Sequence, residues 1–301
     1  MIRENSVEIA GRTVECVGRW PRVARLRDEP WLEPPLPGPA QLAEELRGSR
    51  MRADVFTVAQ SVEDPEPRHA APFTWDSLAV ADTREFDPWW NELPQETRKH
   101  VRRARKAGLI VRPVPFDDPL VAGISRLYNE TPVRQGRRFP HHGKPLTRVR
   151  RENATYLARS HFLGAFLGDE LVGFLKLVRV GTSARIMQIL SAQARRDTFA
   201  TQALLAAAVE LCPRIPARRL IYGQYVYGRK HGSSMTEFKR RNGFREVRVP
   251  RYHFPLTWRG SLALKGGFHR PAAELIPEPV FDFLLKVRAF ALSRRLLRPA
   301  A

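Results

Sequence analysis

The chain is poor in cysteine. It has two cysteines in 301 residues, Cys16 and Cys212, and they form neither a CxxC motif nor a Cys/His zinc spacing. A disulfide framework needs several paired cysteines, and a structural zinc site needs about four clustered ligands. We therefore expect a reducing compartment, no metal site, and a fold held together by its hydrophobic core.

The sequence also lacks the motifs of several large function classes. No stretch approaches the about 18 apolar residues that cross a membrane, and the N-terminal segment alternates polar and apolar residues without a signal-peptide core. Neither a G-x-S-x-G elbow nor a G-x-x-x-x-G-K-(S/T) phosphate loop occurs. These absences predict a soluble, cytoplasmic protein that is neither a triad hydrolase nor a P-loop NTPase.

Positive charge is what the chain has in excess. Its 51 Lys+Arg against 31 Asp+Glu give a formal net charge of +20, and only 8 of the basic residues are lysine. Arginine donates bidentate hydrogen bonds to phosphate and carboxylate, so the excess favours anionic partners such as nucleic acid or an acidic membrane. RNP aromatics, zinc-finger spacings and helix-turn-helix signatures are missing, so we expect no sequence-specific DNA binding.

Three segments differ in pattern. Residues 1–72 are broken by proline and are predicted to be an arm or a partial domain. Residues 73–257 form the main domain, and from Leu109 they predict the order β-α-α-β-β-β-α-β-α-β-β. Residues 258–301 are a basic extension that ends in an amphipathic helix, either a packing helix or a membrane-surface contact.

Two blocks of residues carry a family resemblance. Trp89 and Trp90 precede the basic helix RKHVRRARKAGL at residues 98–109, and EFKRRNGF at residues 237–244 is followed by PRYHFPL. Both blocks resemble the GNAT-fold acyltransferases, and more closely their FemAB-like branch. The resemblance covers roughly residues 73–257 and implies a GNAT-like mixed, mostly antiparallel sheet flanked by helices, which is an α/β (α+β) fold.

The resemblance also implies an activity. Such proteins transfer an acyl or aminoacyl group to an amine by direct attack, with acyl-CoA or aminoacyl-tRNA as cosubstrate and no tightly bound cofactor. The loop ARRDTFATQALL stands where the family binds the donor, which makes Arg195, Arg196 and Thr198 the expected cofactor-binding residues. The loop has no glycines to bring backbone amides close to a pyrophosphate, so the donor stays open between CoA and tRNA.

The most chemically dense segment is residues 128–142. Glu130 and His142, with His141 beside it, are candidate bases for the attacking amine. The alternative is that Glu130 pairs with an arginine and only fixes the loop, while the histidines are exposed. The expected substrate contacts in this loop are Asn129, Arg134, Gln135 and Arg137.

A second group of candidates follows from the resemblance. Gln188 and Tyr225 are expected near the notch between the fourth and fifth strands of the main domain, where the family holds its donor. Tyr225 either protonates the leaving group or is a packing residue, and regular alternation places Tyr222 on the opposite face. Lys239 and Arg251 are expected as substrate or phosphate contacts, with a solvated helix face as the alternative for Lys239.

Two functions remain open from the sequence. The first is an N-acyltransferase whose acceptor is an amine, either free or lipid-linked. Its partner is tRNA if the donor is aminoacyl-tRNA, and its C-terminal helix contacts the inner face of the membrane peripherally. The second is a non-enzymatic basic protein with a degenerate acyltransferase fold that binds nucleic acid or anionic lipid.

Overall fold

A computed structural model describes residues 6–134, 136–226 and 233–268. Its strands form one large sheet of eleven strands, mostly antiparallel, and one two-stranded ribbon. Eight α-helices lie among the described residues and pack on the sheet. The fold class expected from the sequence is confirmed.

The element bounds are as follows. The strands are β1 (Ser6–Ile9), β2 (Arg12–Val17), β3 (Val23–Leu26), β4 (Val55–Ala59), β5 (Phe73–Asp82), β6 (Leu109–Val114), β7 (Val133–Arg134), β8 (Arg137–Arg138), β9 (Ser160–Leu167), β10 (Glu170–Val180), β11 (Ser183–Ser191), β12 (Arg219–Gln224) and β13 (Arg245–Pro255). The helices are α1 (Pro39–Gly48), α2 (Phe86–Glu92), α3 (Gln95–Lys106), α4 (Asp118–Asn129), α5 (Leu146–Asn153), α6 (Ala200–Leu211), α7 (Ser234–Arg241) and α8 (Trp258–Lys265). The sheet order is β1-β2-β3-β4-β13-β5-β12-β11-β10-β9-β6, with β3/β4 and β11/β12 as the parallel pairs.

Helix ends follow local signals in the sequence. Helix α3 begins directly after Pro94, whose missing N–H is not needed there, and ends before Gly108 at a φ of 82°. The side chain of Asp117 caps α4 by accepting a hydrogen bond from the Leu120 amide at 2.9 Å. Because these signals are local, the sequence predicted these helices near their observed positions.

The main core lies between the sheet and the layer formed by α2, α3 and α6. Helix α6 buries an apolar face of alanine and leucine against β9, β10 and β11. A second core fills the opposite sheet face beneath α4 and α5. The main core therefore covers one face of β11 and β12, while α4 and α5 cover the opposite face of the sheet at β9 and β10.

The two sequence blocks of the family resemblance meet in space. Gly243, at a φ of 76°, ends α7 and lies against the indole of Trp89 in α2. A Cβ on Gly243 would come within 2.4 Å of Trp89 Nε1. Only glycine fits this contact, which packs the end of α7 on α2.

Residues 6–59 extend the same sheet. Strand β4 pairs with β13, and β1 to β3 continue outward from it, with α1 covering their own hydrophobic core. The sheet thus runs without interruption across residue 72, and the domain boundaries at 72 and 257 stay predictions.

Three details of the predicted strands are wrong. The two final strands are one continuous strand, β13, since Pro250 lies within its pairing with β5. Strand β12 ends at Gln224 because Gly223, at a φ of 59°, breaks the extended backbone. Tyr222 and Tyr225 therefore both pack against the α6 core instead of facing opposite sides.

Gln135 and the amphipathic segment at residues 279–298 lie outside the described residues. Within the ranges that are described, no helix has the length and apolar character needed to span a membrane.

Candidate active site

Strands β11 and β12 separate at one end. They pair at three positions, from Ser183 with Arg219 to Arg185 with Ile221. Beyond this point β11 continues to Ser191 and β12 to Gln224, with no further pairing between them in the described chain. We call this opening the fork. It lies at the carboxyl ends of two parallel strands, which is the end at which parallel strands of α/β sheets bind ligands.

A β-bulge in β11 decides which side chains border the fork. Lys176 of β10 pairs with Gln188 and Leu177 pairs with Ile186, which leaves Met187 as the extra residue. Without the bulge, alternation would place Gln188 on the α6 face with Ile186. The bulge turns Gln188 to the opposite face, where its Oε1 accepts a hydrogen bond of 2.7 Å from the Tyr128 hydroxyl.

A buried polar network surrounds this pair. Burial raises the pKa of Tyr128. Lys176 Nζ donates to the carbonyl oxygens of Asn153 at 2.8 Å and Thr155 at 2.6 Å and to the Thr155 hydroxyl at 3.0 Å. Burial lowers the pKa of Lys176 to about 8. Because all three ammonium protons have acceptors, Lys176 fixes the chain after α5 onto β10.

The loop between α4 and α5 brings His141 into contact with the network. Its ring centroid lies 4.5 Å from that of Tyr128, and its Nδ1 accepts a hydrogen bond of 3.0 Å from Lys144 Nζ. Burial lowers the pKa of His141, which favours the neutral ring, and in that ring the Lys144 hydrogen bond to Nδ1 places the proton on Nε2. His142, an expected catalyst, is exposed.

Glu130 holds two loops together. Its carboxylate accepts hydrogen bonds from the backbone amides of Gln193 and Ala194, each at 2.7 Å, and from Arg134 at 3.0 Å. Arg134 also donates to the carbonyl oxygens of Ser191 and Leu127, and burial lowers its pKa. These contacts favour the alternative in which Glu130 fixes the loop.

The other expected contacts of this loop differ in position. Asn129 donates to the Ser125 carbonyl at 2.9 Å and accepts from the Gly143 amide at 2.8 Å, so it folds the loop back on α4. Arg137 is exposed in the β7/β8 ribbon. The structure thus brings Gln188 into the network and leaves Arg137 in solvent.

The predicted cofactor-binding residues lie before the first turn of α6. Arg195 and Arg196 are exposed, and Arg196 donates to the Gln193 side chain at 2.8 Å. The Thr198 hydroxyl is already used, since it donates to the Arg195 carbonyl at 2.6 Å. Phe199 takes the cap position at a φ of 52°. A helix N-terminus with two nearby arginines favours an anion, although its backbone is less accessible than a glycine loop.

A basic surface lies beside this helix end. His100 of α3 stacks on Phe199 with ring centroids 4.0 Å apart, and Arg103 lies over the same ring. The outward side of α3 exposes basic side chains for which the described residues supply no acidic partner. We call these five residues the α3 basic face: Lys99, Arg102, Arg103, Arg105 and Lys106.

Lys239 and Tyr225 lie at the β12 side of the fork. Lys239 is fully buried, its Nζ donates to the Gln224 carbonyl, and burial lowers its pKa to about 8. A solvated helix face is therefore wrong for Lys239. Tyr225 is half-buried just after β12, and its backbone is held by Ser77 and Thr236. Burial raises the pKa of Tyr225, so its hydroxyl stays protonated at neutral pH.

Arg251 is half-buried. Its guanidinium donates to Asp76 at 2.8 Å and to Glu29 at 2.7 Å. Burial opposes the charge, but the two carboxylates outweigh it and raise the pKa of Arg251. Arg251 thus joins the 3-10 turn Glu29–Trp31 to the sheet. Its guanidinium N–H groups are engaged by the carboxylates of Asp76 and Glu29.

The sequence reasoning missed Tyr128, Asn153 and Lys176. Lysine within the apolar run LVGFLKLVRV was a usable signal, since a charged residue in a buried strand needs a specific set of partners. Tyr128 and Asn153 have no comparable signal, because a tyrosine or asparagine inside a helix is ordinary.

Two cavities of the described chain lie away from the fork. One of about 490 Å³ is lined by Asp82, Arg84, Trp89 and their neighbours, and one of about 280 Å³ by apolar residues around Phe116 and His161. We place the site at the fork because the separated strands and the polar network coincide there. In the described ranges no group of three or more His, Cys, Asp or Glu side chains could hold a metal ion.

Comparison with known proteins gives the fold. No protein-family model matches the chain, and no curated protein matches it. Among solved structures it is similar to FemX, with a TM-score of 0.56 at 10% identity over 86% of this chain and 88% of that one. It is also similar to a C-terminal domain from Agrobacterium fabrum that is described as part of a lysylphosphatidylglycerol synthetase, with a TM-score of 0.53 at 15% identity over 87% of each chain.

A third likeness agrees with these two. L-PGS from Bacillus licheniformis has a TM-score of 0.51 at 10% identity, over 84% of this chain and 85% of that one. The three likenesses confirm the GNAT-type, FemAB-like fold that the two sequence blocks predicted.

Proposed function

We propose that the protein is an acyltransferase whose donor lies in the fork and passes an acyl or aminoacyl group to an amine acceptor. The observation that carries this proposal is the loss of pairing after Arg185 and Ile221. It leaves β11 backbone groups beside a gap bordered by Tyr225 and Lys239. Unpaired backbone N–H and C=O groups there can bind an extended donor.

Tyr225 is the best supported of the three proposed proton-transfer residues. The amine nitrogen attacks the donor carbonyl carbon, a C–N bond forms, and the C–S or C–O bond to the leaving group breaks. Tyr225 gives its proton to the departing sulfur or oxygen, while the amine proton passes to water and then restores Tyr225. Glu130 is already held by three donors, and His142 is exposed, so neither has comparable support.

Aminoacyl-tRNA is the donor we favour over acyl-CoA. The loop before α6 has no glycine, and the Thr198 hydroxyl is occupied by the Arg195 carbonyl. The α3 basic face lies beside the same helix end and could hold the phosphates of a polynucleotide. The name of one structural neighbour joins a lysyl group to a lipid, which makes a lipid-linked acceptor at the inner membrane face the first to test.

The test is transfer by the full chain. Aminoacyl-tRNA and acetyl-CoA, each labelled in the transferred group, are incubated with amine acceptors and with anionic vesicles. We expect label transfer from tRNA, and a loss of about 100-fold or more in Tyr225→Phe. Tyr156→Phe, which removes a hydroxyl from the chain after α5, serves as the matched control. Failure of both donors to bind or react would refute the proposal.

The α3 basic face also supports a second function, which is polynucleotide or anionic-lipid binding without catalysis. It predicts tRNA affinity that falls steeply with salt, and no transfer from either donor. Transfer of the labelled group by the wild type but not by Tyr225→Phe would exclude this second function.

A further inference from the structure

Arg185 occupies the last paired position before the fork opens. Its Cα partners are Val178 of β10 and Ile221 of β12. Its neighbours Ala184 and Ile186 pack in the α6 core, so alternation turns Arg185 to the opposite sheet face. Gln188 reaches this same face through the bulge, which places Arg185 and the Tyr128–Gln188 pair on one side of the fork.

Among the described residues, none forms a hydrogen bond or an ion pair with the guanidinium of Arg185. Its Nε is buried without a hydrogen bond, and no carboxylate of the described chain lies within 4 Å of it. Burial lowers the pKa of Arg185, and the charge of Glu29 only partly offsets this. Glu29 is itself bound to Arg251 and to the Ala59 amide. Arginine stays charged in proteins, so the half-buried guanidinium of Arg185 is partly desolvated without a carboxylate partner.

Three other half-buried arginines of the described chain are paired with carboxylates. Arg134 pairs with Glu130, and Arg159 pairs with Glu33 at 2.6 Å. Arg251 has two carboxylates. The fold therefore supplies acids to these three buried guanidinium groups, and Arg185 at the fork is left without one.

A second unpartnered group lies beside Arg185. The Ser183 side chain is 3% exposed, and its hydroxyl has no hydrogen-bond partner. Ser183 is two positions before Arg185 on the same strand, so both side chains face the same way, about 6.6 Å apart at their Cα atoms. A guanidinium and a hydroxyl together offer several donors to an oxyanion.

We propose that Arg185, with Ser183, binds an oxyanion of the acceptor, a carboxylate or a phosphate, on the sheet face opposite α6. The donor then approaches from the α6 side, where Arg195 and Arg196 lie, and the acceptor from the other side. The two substrates meet where β11 and β12 separate. Assigning the anion to the acceptor rests on the proposed transferase function, but anion binding at Arg185 does not.

The test compares the full chain with Arg185→Met and Ser183→Ala. Unfolding in urea is followed with added sodium phosphate, sodium acetate or sodium chloride at one ionic strength. We expect phosphate or acetate, but not chloride, to stabilise the wild-type protein. Arg185→Met should weaken the apparent affinity at least tenfold, and Ser183→Ala about threefold. Arg214→Gln, at an exposed arginine paired with Glu210, should leave it unchanged.

The free energies of unfolding of the wild type and of Arg185→Met, both measured without added anion, give an independent test. Arg185→Met should be at least as stable as the wild type without anion, because it removes a partly desolvated charge that has no carboxylate partner. A larger effect of phosphate indicates a phosphorylated acceptor, and a larger effect of acetate a carboxylate acceptor. Equal anion responses in wild type and Arg185→Met, or a less stable Arg185→Met, would overturn the assignment. Anion binding that persists while no transfer occurs would refute the transferase alone.

Discussion

Replacing Glu130 by glutamine separates a catalytic role from a structural one. The carboxylate accepts two backbone hydrogen bonds of 2.7 Å and an ion pair of 3.0 Å from Arg134. Glutamine keeps one carbonyl oxygen and turns an NH₂ group toward the second backbone amide. The variant therefore loses one charge-assisted bond and the ion pair, and two donors face each other.

The expected cost follows from these contacts. A hydrogen bond to a charged group contributes about 1.5 to 3 kcal/mol, and the Glu130 and Arg134 side chains are only 21% and 13% exposed, so solvent screens them little. We expect Glu130→Gln to lower the free energy of unfolding by about 3 to 5 kcal/mol. Transfer per folded molecule should fall less than about fivefold, because we propose that Glu130 fixes the loop and is not the base.

The measurement is urea unfolding at pH 7 with transfer assayed at low temperature, where the variant is folded. Glu210→Gln is the matched control, because its exposed pair with Arg214 at 3.4 Å contributes less than about 0.5 kcal/mol. Unchanged stability together with a loss of activity of more than about 100-fold would refute the reasoning and restore Glu130 as the base.

Three further predictions follow from named contacts. Gly243→Ala should cost about 2 to 5 kcal/mol in urea unfolding, because a Cβ meets the Trp89 indole at a positive φ; a cost below about 0.5 kcal/mol would contradict the packing. The pKa of Lys176 is about 8 in the folded protein, compared with the ordinary value of 10.5 in the unfolded chain. Between these two pH values the unfolded chain binds one proton more than the folded protein, so the free energy of unfolding should rise with pH by up to about 3 kcal/mol from this group. Urea unfolding of Lys176→Met at pH 7.5 and 9.5 should show a smaller rise, and an equal rise would count against burial of the charge. The last prediction changes three exposed arginines of α3 to glutamine: Arg102, Arg103 and Arg105. The slope of log affinity for tRNA against log salt concentration should become shallower by about 2 to 3, and an unchanged slope would exclude these arginines as phosphate contacts.

Much of the main domain could be predicted because its signals are local. Pro94 and Gly108 bracket α3, and an apolar run gives α6. The contacts of Glu130 could not be predicted, since Gln193 and Ala194 lie 63 and 64 positions away along the chain. The short β12 was also missed, because its apolar run continues past the point where Gly223 breaks the strand.

The sequence by itself determined the meander of β9 to β11, the two blocks that identify the fold, and six of the eight described helices: α1, α3, α4, α5, α6 and α7. The tertiary structure decided which side chains reach the fork. One bulge residue, Met187, turns Gln188 to Tyr128, and the packing of α7 buries Lys239 beside Gln224. Local patterns record the preferences of a residue for its own neighbours. The face on which a side chain lies, its burial and its hydrogen-bond partners depend on chain segments that meet only when the helices pack on the sheet.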